Sequence, residues 1–144
     1  MRFKGRVAIV TGAGRQGGIG EAIALRLARE GAAVAVVDLC RDRDDVPRER
    51  FASWEELAAV ADRVTEAGGA GLAVKADVTD EDEVAAMMRQ VEDRFGALHV
   101  LFNNAAGGTG AGPVDRTPLT RLAKRDWDYT LALSLTSVFL CSRA

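Results

Sequence analysis

Apolar runs and helix-spaced apolar stripes take turns along most of this chain. The run "RVAIVT" (6–11) predicts a buried strand. Ile19, Ala22, Ile23 and Leu27 then recur at helical spacing, and Gly31 stops that helix. A second strand is predicted at "AAVAVVDL" (32–39). Trp54, Leu57, Ala58 and Ala61 form the next stripe, with Ser53 and Glu56 as a capping box and Gly68 and Gly69 at its end. "GLAVKADV" (71–78) predicts a third strand. Thr79 is expected to cap a helix whose stripe is Val84, Met87, Met88, Val91 and Phe95, closed by Gly96. "LHVLFNN" (98–104) predicts a fourth strand, followed by a glycine-rich loop and one long apolar helix from about Asp126 onward.

The alternation of strands and helices, with strands apolar on both faces, predicts an α/β fold in which helices cover both sides of a parallel sheet. Right-handed crossovers give a Rossmann-type, doubly wound sheet, most simply with its four strands in the order 3-2-1-4. The 144 residues fit a single domain (1–144). The one irregular insert, "CRDRDDVPRERFAS" (40–53), is dense in charge and predicts a solvated loop.

Composition narrows the partners. A net charge of −2 gives no basic footprint for nucleic acid or an anionic membrane surface. No apolar run reaches the length of a membrane span, and "MRFKGRVAIV" is too short in its apolar part for a signal peptide. Cys40 and Cys141 form no metal or disulfide pattern, so a reducing, cytoplasmic setting is expected.

The chemistry is expected at "TGAGRQGGIG" (11–20), between the first strand and the first helix. Glycines there let a dinucleotide's pyrophosphate approach the backbone and rest on the helix N-terminus, where free N–H groups and the dipole favour anions. Two patterns fit: Gly12, Gly14 and Gly17 match G-x-G-x-x-G, and Gly12, Gly18 and Gly20 match a looser T-G…G-I-G. Asp38 ends the second strand, about 20 residues on, where a carboxylate accepts hydrogen bonds from the adenine ribose. Its charge repels a 2′-phosphate and so favours NAD(H) over NADP(H), while Arg15 and Arg41 argue more weakly for NADP(H). His99, inside the predicted fourth strand, is expected to be packed, and the acidic cluster 80–83 to suit a helix N-terminus.

With these motifs the chain resembles the short-chain dehydrogenase/reductase family. "TGAGRQGGIG" resembles that family's T-G-x-x-x-G-I-G turn with two extra residues, bringing in Thr11 and Ile19, and "VVDL" resembles its second-strand end, bringing in Leu39. "ADVTD" resembles its Asp-Val pair, which implies that Asp77 and Val78 contact adenine. "NNAA" (103–106) resembles its N-N-A-G motif, which implies that Asn104, Ala105 and Ala106 border the cofactor. The insert after Asp38 also resembles the longer loop of mycofactocin-linked, carveol-dehydrogenase-like members, whose glycine spacing differs.

The tail from Trp127 resembles the family's next helix, in which an asparagine of the catalytic tetrad helps hold a water in the proton relay; here that position is Ser134. Ala123, Lys124 and Arg125 offer that helix no side-chain cap and place positive charge at its positive end, so a loose start is expected. The family's remaining tetrad members, a serine and a Tyr-x-x-x-Lys pair, have no counterpart: the only tyrosine is Tyr129, and position 133 is Leu133. The resemblance therefore implies the cofactor-binding N-terminal half of an NAD(P)-dependent oxidoreductase, inactive alone. A nucleotide-binding or interaction module without chemistry is the alternative. With no fifth strand beside "LHVLF", association with a complementary C-terminal half or with further copies is expected.

Overall fold

The computed structural model describes residues 1–42, 51–106 and 117–144. Strands β1 (Val7–Thr11), β2 (Ala33–Asp38), β3 (Ala70–Lys75) and β4 (Val100–Phe102) alternate with helices α1 (Ile19–Arg29), α2 (Trp54–Glu66) and α3 (Glu81–Phe95). The sheet has the order β3-β2-β1-β4, and all its pairings are parallel. Ala8 of β1 stands opposite Val34 of β2 on one side and Val100 of β4 on the other.

The two-residue period of a strand explains why both of its faces are apolar. Ala8, Val10, Val34 and Val36 pack on one face against Ala24, Leu27 and Ala28 of α1 and Leu57, Val60 and Val64 of α2. Val7, Ile9, Ala35 and Val37 point the other way, against Val84, Met87 and Val91 of α3 and Leu140 and Cys141 of the last helix. One sheet thus carries two apolar cores. The stripe of α1 is shifted from its expected position. Ile19 is 75% exposed, and the buried side of the helix is Gly20, Glu21, Ala24, Leu27 and Ala28.

The helix ends follow local chemistry. The Ser53 hydroxyl accepts from Glu56 N–H, and the Glu56 carboxylate accepts from Ser53 N–H. This is the expected capping box of α2. Ser53→Ala should lower stability by about 1 kcal/mol, seen as an earlier midpoint in urea with an unchanged slope; an unmoved midpoint would show the cap to be idle. Asp80, not Thr79, caps α3, accepting from Glu83 N–H at 2.9 Å. Thr79 is engaged elsewhere, since both its N–H and its hydroxyl donate to Asp77 Oδ1.

The C-terminal segment also departs from expectation. In place of one regular helix there are α4 (Lys124–Leu131), a widened π-helical stretch (Ala132–Thr136) and α5 (Ser137–Arg143). Ala123 precedes α4 without a side-chain cap, and its carbonyl accepts from Asp126 N–H and Trp127 N–H. Trp127 and Leu131 are exposed, as are Leu135 (64%) and Phe139 (56%). Phe102 on the outer strand β4 is exposed as well. Phe102 of β4 and Leu135 and Phe139 of the C-terminal segment are thus left uncovered by the described residues. Among the described residues no helix is long and apolar enough to cross a membrane. Residues 43–50 of the charged insert and 107–116 of the glycine-rich loop lie outside the described residues.

Candidate functional site

The carboxyl ends of β1 and β4 are clasped by two polar side chains. Thr11, almost wholly buried, donates its hydroxyl proton to Phe102 O, and Thr11 Oγ1 accepts from Asn104 N–H and Ala105 N–H. Asn104 Nδ2 returns to β1, donating to Thr11 O at 2.9 Å and Gly12 O at 3.1 Å. These bonds satisfy backbone groups that the end of the strand ladder leaves open. They also fix where the chain turns out of β1. Ala106 lies next on the exposed side, and Asn103 reaches outward to Ser142 Oγ at 3.3 Å.

The turn that follows is tight for steric reasons. A Cβ on Gly12 would stand 2.7 Å from Ala105 Cα, and Gly12 has φ +65. A Cβ on Gly20 would stand 2.5 Å from Gly12 O and 2.8 Å from both Ala13 Cα and Asn104 Nδ2. The first turn of α1 is thereby pressed onto the end of β1. Gly14 is hemmed in by Ala52 and Asp38, and Gly18 by Arg15 O at 2.9 Å. Gly17 differs: nothing lies within 4 Å of its missing Cβ, and its φ of +72 is what glycine supplies there.

Gly17 N–H donates to Glu21 Oε2 at 2.5 Å, so it is already committed within the protein. α1 begins at Ile19, and its N-cap Gly18 brings no side-chain cap. The first-turn N–H groups therefore have no side-chain acceptor from the N-cap, and Ile19 beside them is exposed. α1 starts directly after Gly18, and glycines of both patterns meet a steric or conformational need here: Gly12, Gly14, Gly18 and Gly20 are crowded, and Gly17 has a positive φ.

Asp38 closes the adjoining side. Its Oδ2 accepts from Gly14 N–H and its Oδ1 from Leu39 N–H, each at 2.8 Å. The carboxylate is held by two backbone donors, keeps further lone pairs, and sits on the glycine-rich turn. Asp77 organises the neighbouring turn, receiving Thr79 and an ion pair from Arg41 at 3.4 Å. Arg41 also meets Glu83 at 2.8 Å. The Val78 side chain is buried in the core facing α3.

Other candidates lie outside this arrangement. Ser134 is exposed, in the widened stretch of the last helix. Tyr129 is half-buried on α4. His99 is exposed just before β4 rather than packed, its Nδ1 accepting from Val7 N–H at 3.1 Å. Burial and the nearby Asp38 charge push the Cys40 thiol up to about 11, and burial raises Cys141 as well. Both therefore stay protonated at neutral pH, unsuited to attack as thiolates. Among the described residues no cluster could hold a metal ion. A depression of about 360 Å³ lies at the amino ends of the strands, between Gly5, Gly31, Gly68 and Phe95, at the opposite edge of the sheet.

Sequence reading missed Glu21 and its partner Arg63 of α2, which form an ion pair beneath the glycine-rich turn. The available signal was a glutamate on the core side of a helix, between Gly20 and Ala24.

Residues 6–144 match the family model described as short chain dehydrogenase. The cis-4-hydroxycyclohexanecarboxylate dehydrogenase of Sinomonas cyclohexanicum is 40% identical over 141 residues, covering 98% of this chain and 48% of that protein. The crystal structure of carveol dehydrogenase from Mycobacterium avium in complex with NAD superposes with a TM-score of 0.86 at 27% identity, covering 99% of this chain and 48% of that one. The NAD+-bound xylitol dehydrogenase structure gives 0.81 at 31% identity, covering 100% and 48%. The chain thus spans about half the length of the relatives it matches. The parallel sheet, the glycine-rich turn clasped by Thr11 and Asn104, and the family match together place this chain in the short-chain dehydrogenase family, where it corresponds to the N-terminal half of the family fold.

Proposed function

We propose that these residues form the dinucleotide-binding half of a nicotinamide-dependent oxidoreductase acting on an alcohol or a ketone. The observation that carries this reading is the uncapped start of α1 beside an Asp38 carboxylate anchored on the glycine-rich turn. An anionic pyrophosphate suits the first, and ribose hydroxyls suit the second. The glycines fit such a cradle in another way: at Gly12, Gly14, Gly18 and Gly20 the missing side chain lets the turn pack closely against the rest of the protein, and at Gly17 it leaves open space. Bound there, the nicotinamide would supply or accept the hydride. Gly18, Ile19 and Gly20 would hold the pyrophosphate, Asp38 and Leu39 the adenine ribose, Asp77 and Val78 the adenine. Thr11, Asn104, Ala105 and Ala106 would keep the nicotinamide side of the floor in place.

NAD(H) is the preferred cofactor in this reading. Asp38 lies where a 2′-phosphate would be repelled, and Arg41 is engaged by Asp77 and Glu83. Asp38→Ala should weaken NADH binding by the worth of a charged hydrogen bond, about 1.5–3 kcal/mol, and leave NADPH binding unchanged or tighter. Fluorescence titration with both cofactors checks this. A wild type that binds NADPH better than NADH would refute the preference.

The chemistry itself calls for a proton donor at the developing alkoxide. Tyr129 has Leu133 where the family places lysine, and Ser134 stands in the asparagine position. In this reading a complementary half supplies the donor and covers the flank of β4, Leu135 and Phe139. A non-catalytic nucleotide-binding module is the reading that residues 129–134 favour on their own. Finding a Tyr-x-x-x-Lys segment encoded immediately downstream would decide for the oxidoreductase.

A further inference from the structure

Glu21 poses an electrostatic problem. A carboxylate in the first turn of a helix is favoured by the dipole, but it competes with any anionic ligand for the same field. Glu21 is 4% exposed and lies directly under the turn where a diphosphate is expected. Its Oε2 accepts the Gly17 N–H at 2.5 Å. Its Oε1 faces the Arg63 guanidinium, which reaches across from the last turn of α2. Glu21 Oε1 and Arg63 Nε and Nη2 are buried and have no hydrogen-bond partner among the described residues outside this ion pair. The charges are balanced by each other. An ion pair so placed contributes little net stability compared with an apolar pair of similar volume. Its location, between the glycine-rich turn and the adjacent helix, suggests another use.

We infer that Glu21 and Arg63 are a positioning pair for the diphosphate of the bound dinucleotide. The carboxylate fixes the left-handed turn at Gly17 and so aims the N–H groups that open α1. The guanidinium cancels the negative charge that the carboxylate would otherwise place beside the phosphates. This inference rests on the dinucleotide-binding reading, and it adds residues from α2 to a site otherwise built from strand ends and α1.

The test compares ADP, which carries the diphosphate, with adenosine, which lacks it, by calorimetric titration of the whole chain. Arg63→Met should weaken ADP about tenfold more than adenosine, because the Glu21 charge is then uncompensated. Adding Glu21→Gln to Arg63→Met should recover most of that loss, since the amide oxygen still accepts from Gly17 while the charge is gone. Glu21→Ala should speed amide exchange at Gly17 by about tenfold while leaving the β1 amides protected. Equal losses for ADP and adenosine in Arg63→Met, or a double variant no better than the single one, would overturn the charge-cancelling role. Unchanged Gly17 exchange in Glu21→Ala would overturn the positioning role. A wild type that binds neither ligand would refute the dinucleotide reading and the charge-cancelling role, with the Gly17 exchange still deciding whether Glu21 holds the turn.

Discussion

Gly20→Val is expected to be the most damaging single substitution in this chain. The first added carbon would stand 2.5 Å from Gly12 O and 2.8 Å from Ala13 Cα, both backbone atoms with no rotamer to yield. It would also press on Asn104 Nδ2, whose bonds to Thr11 O and Gly12 O join β1 to β4. Overpacking typically costs about 1–3 kcal/mol, and losing the clasp removes two hydrogen bonds of about 1 kcal/mol each. We expect a loss of at least roughly 3 kcal/mol, a large part of a small domain's stability. Nucleotide binding should disappear with it. Gly17→Ala is the useful contrast. It meets no neighbour within 4 Å, but it carries the left-handed penalty of φ +72, roughly 1–2 kcal/mol. Urea unfolding of both variants separates crowding from conformation. A Gly20→Val midpoint equal to that of the wild type would show that α1 is not pressed onto β1 as described.

The second large effect concerns turnover. Assayed by itself, the 144-residue chain is expected to oxidise no alcohol and reduce no ketone at a measurable rate. A positioned general acid contributes about 10²–10⁴-fold. Tyr129 is on α4 without a lysine four residues on, and Ser134 is exposed in the widened helix. Adding a family C-terminal half, fused or in trans, should bring activity and should bury Leu135 and Phe139, which are now exposed. Steady turnover by the purified chain alone would mean that one of the residues described as structural is catalytic.

How much of this could be seen in the sequence depended on the range of the physics involved. Strand order followed from the alternation of apolar runs and helical stripes, because right-handed crossovers leave few topologies. The capping box at Ser53 and Glu56 was readable because its partners are three residues apart. The glycine-rich turn and Asp38 could be located for a different reason: the order of elements places one after the first strand and the other at the end of the second. What lay beyond reach was settled by contacts distant in sequence. Gly12 is required by the backbone of Ala105, and Gly20 by Gly12 O, Ala13 Cα and Asn104 Nδ2; Asn104 lies about 90 residues from Gly12. The exposure of Ile19 depends on which face of α1 meets the sheet and α2. The Thr79 cap failed because Asp77 competes for the same hydroxyl. The π-helical stretch at Ala132–Thr136 had no local sign such as proline. The Glu21–Arg63 pair joins two helices, and only the packing of α2 against α1 brings Arg63 to that carboxylate.

On the proposed function, this chain holds a nicotinamide dinucleotide on the turn between β1 and α1. The most direct measurement is a calorimetric titration of the chain with NADH and with NADPH, run beside Gly20→Val. Saturable binding of one NADH per chain, weaker binding of NADPH, and no heat of binding in the variant are the predicted results. Absence of binding by either cofactor to the folded wild-type chain, or equal binding to the variant, would contradict the account.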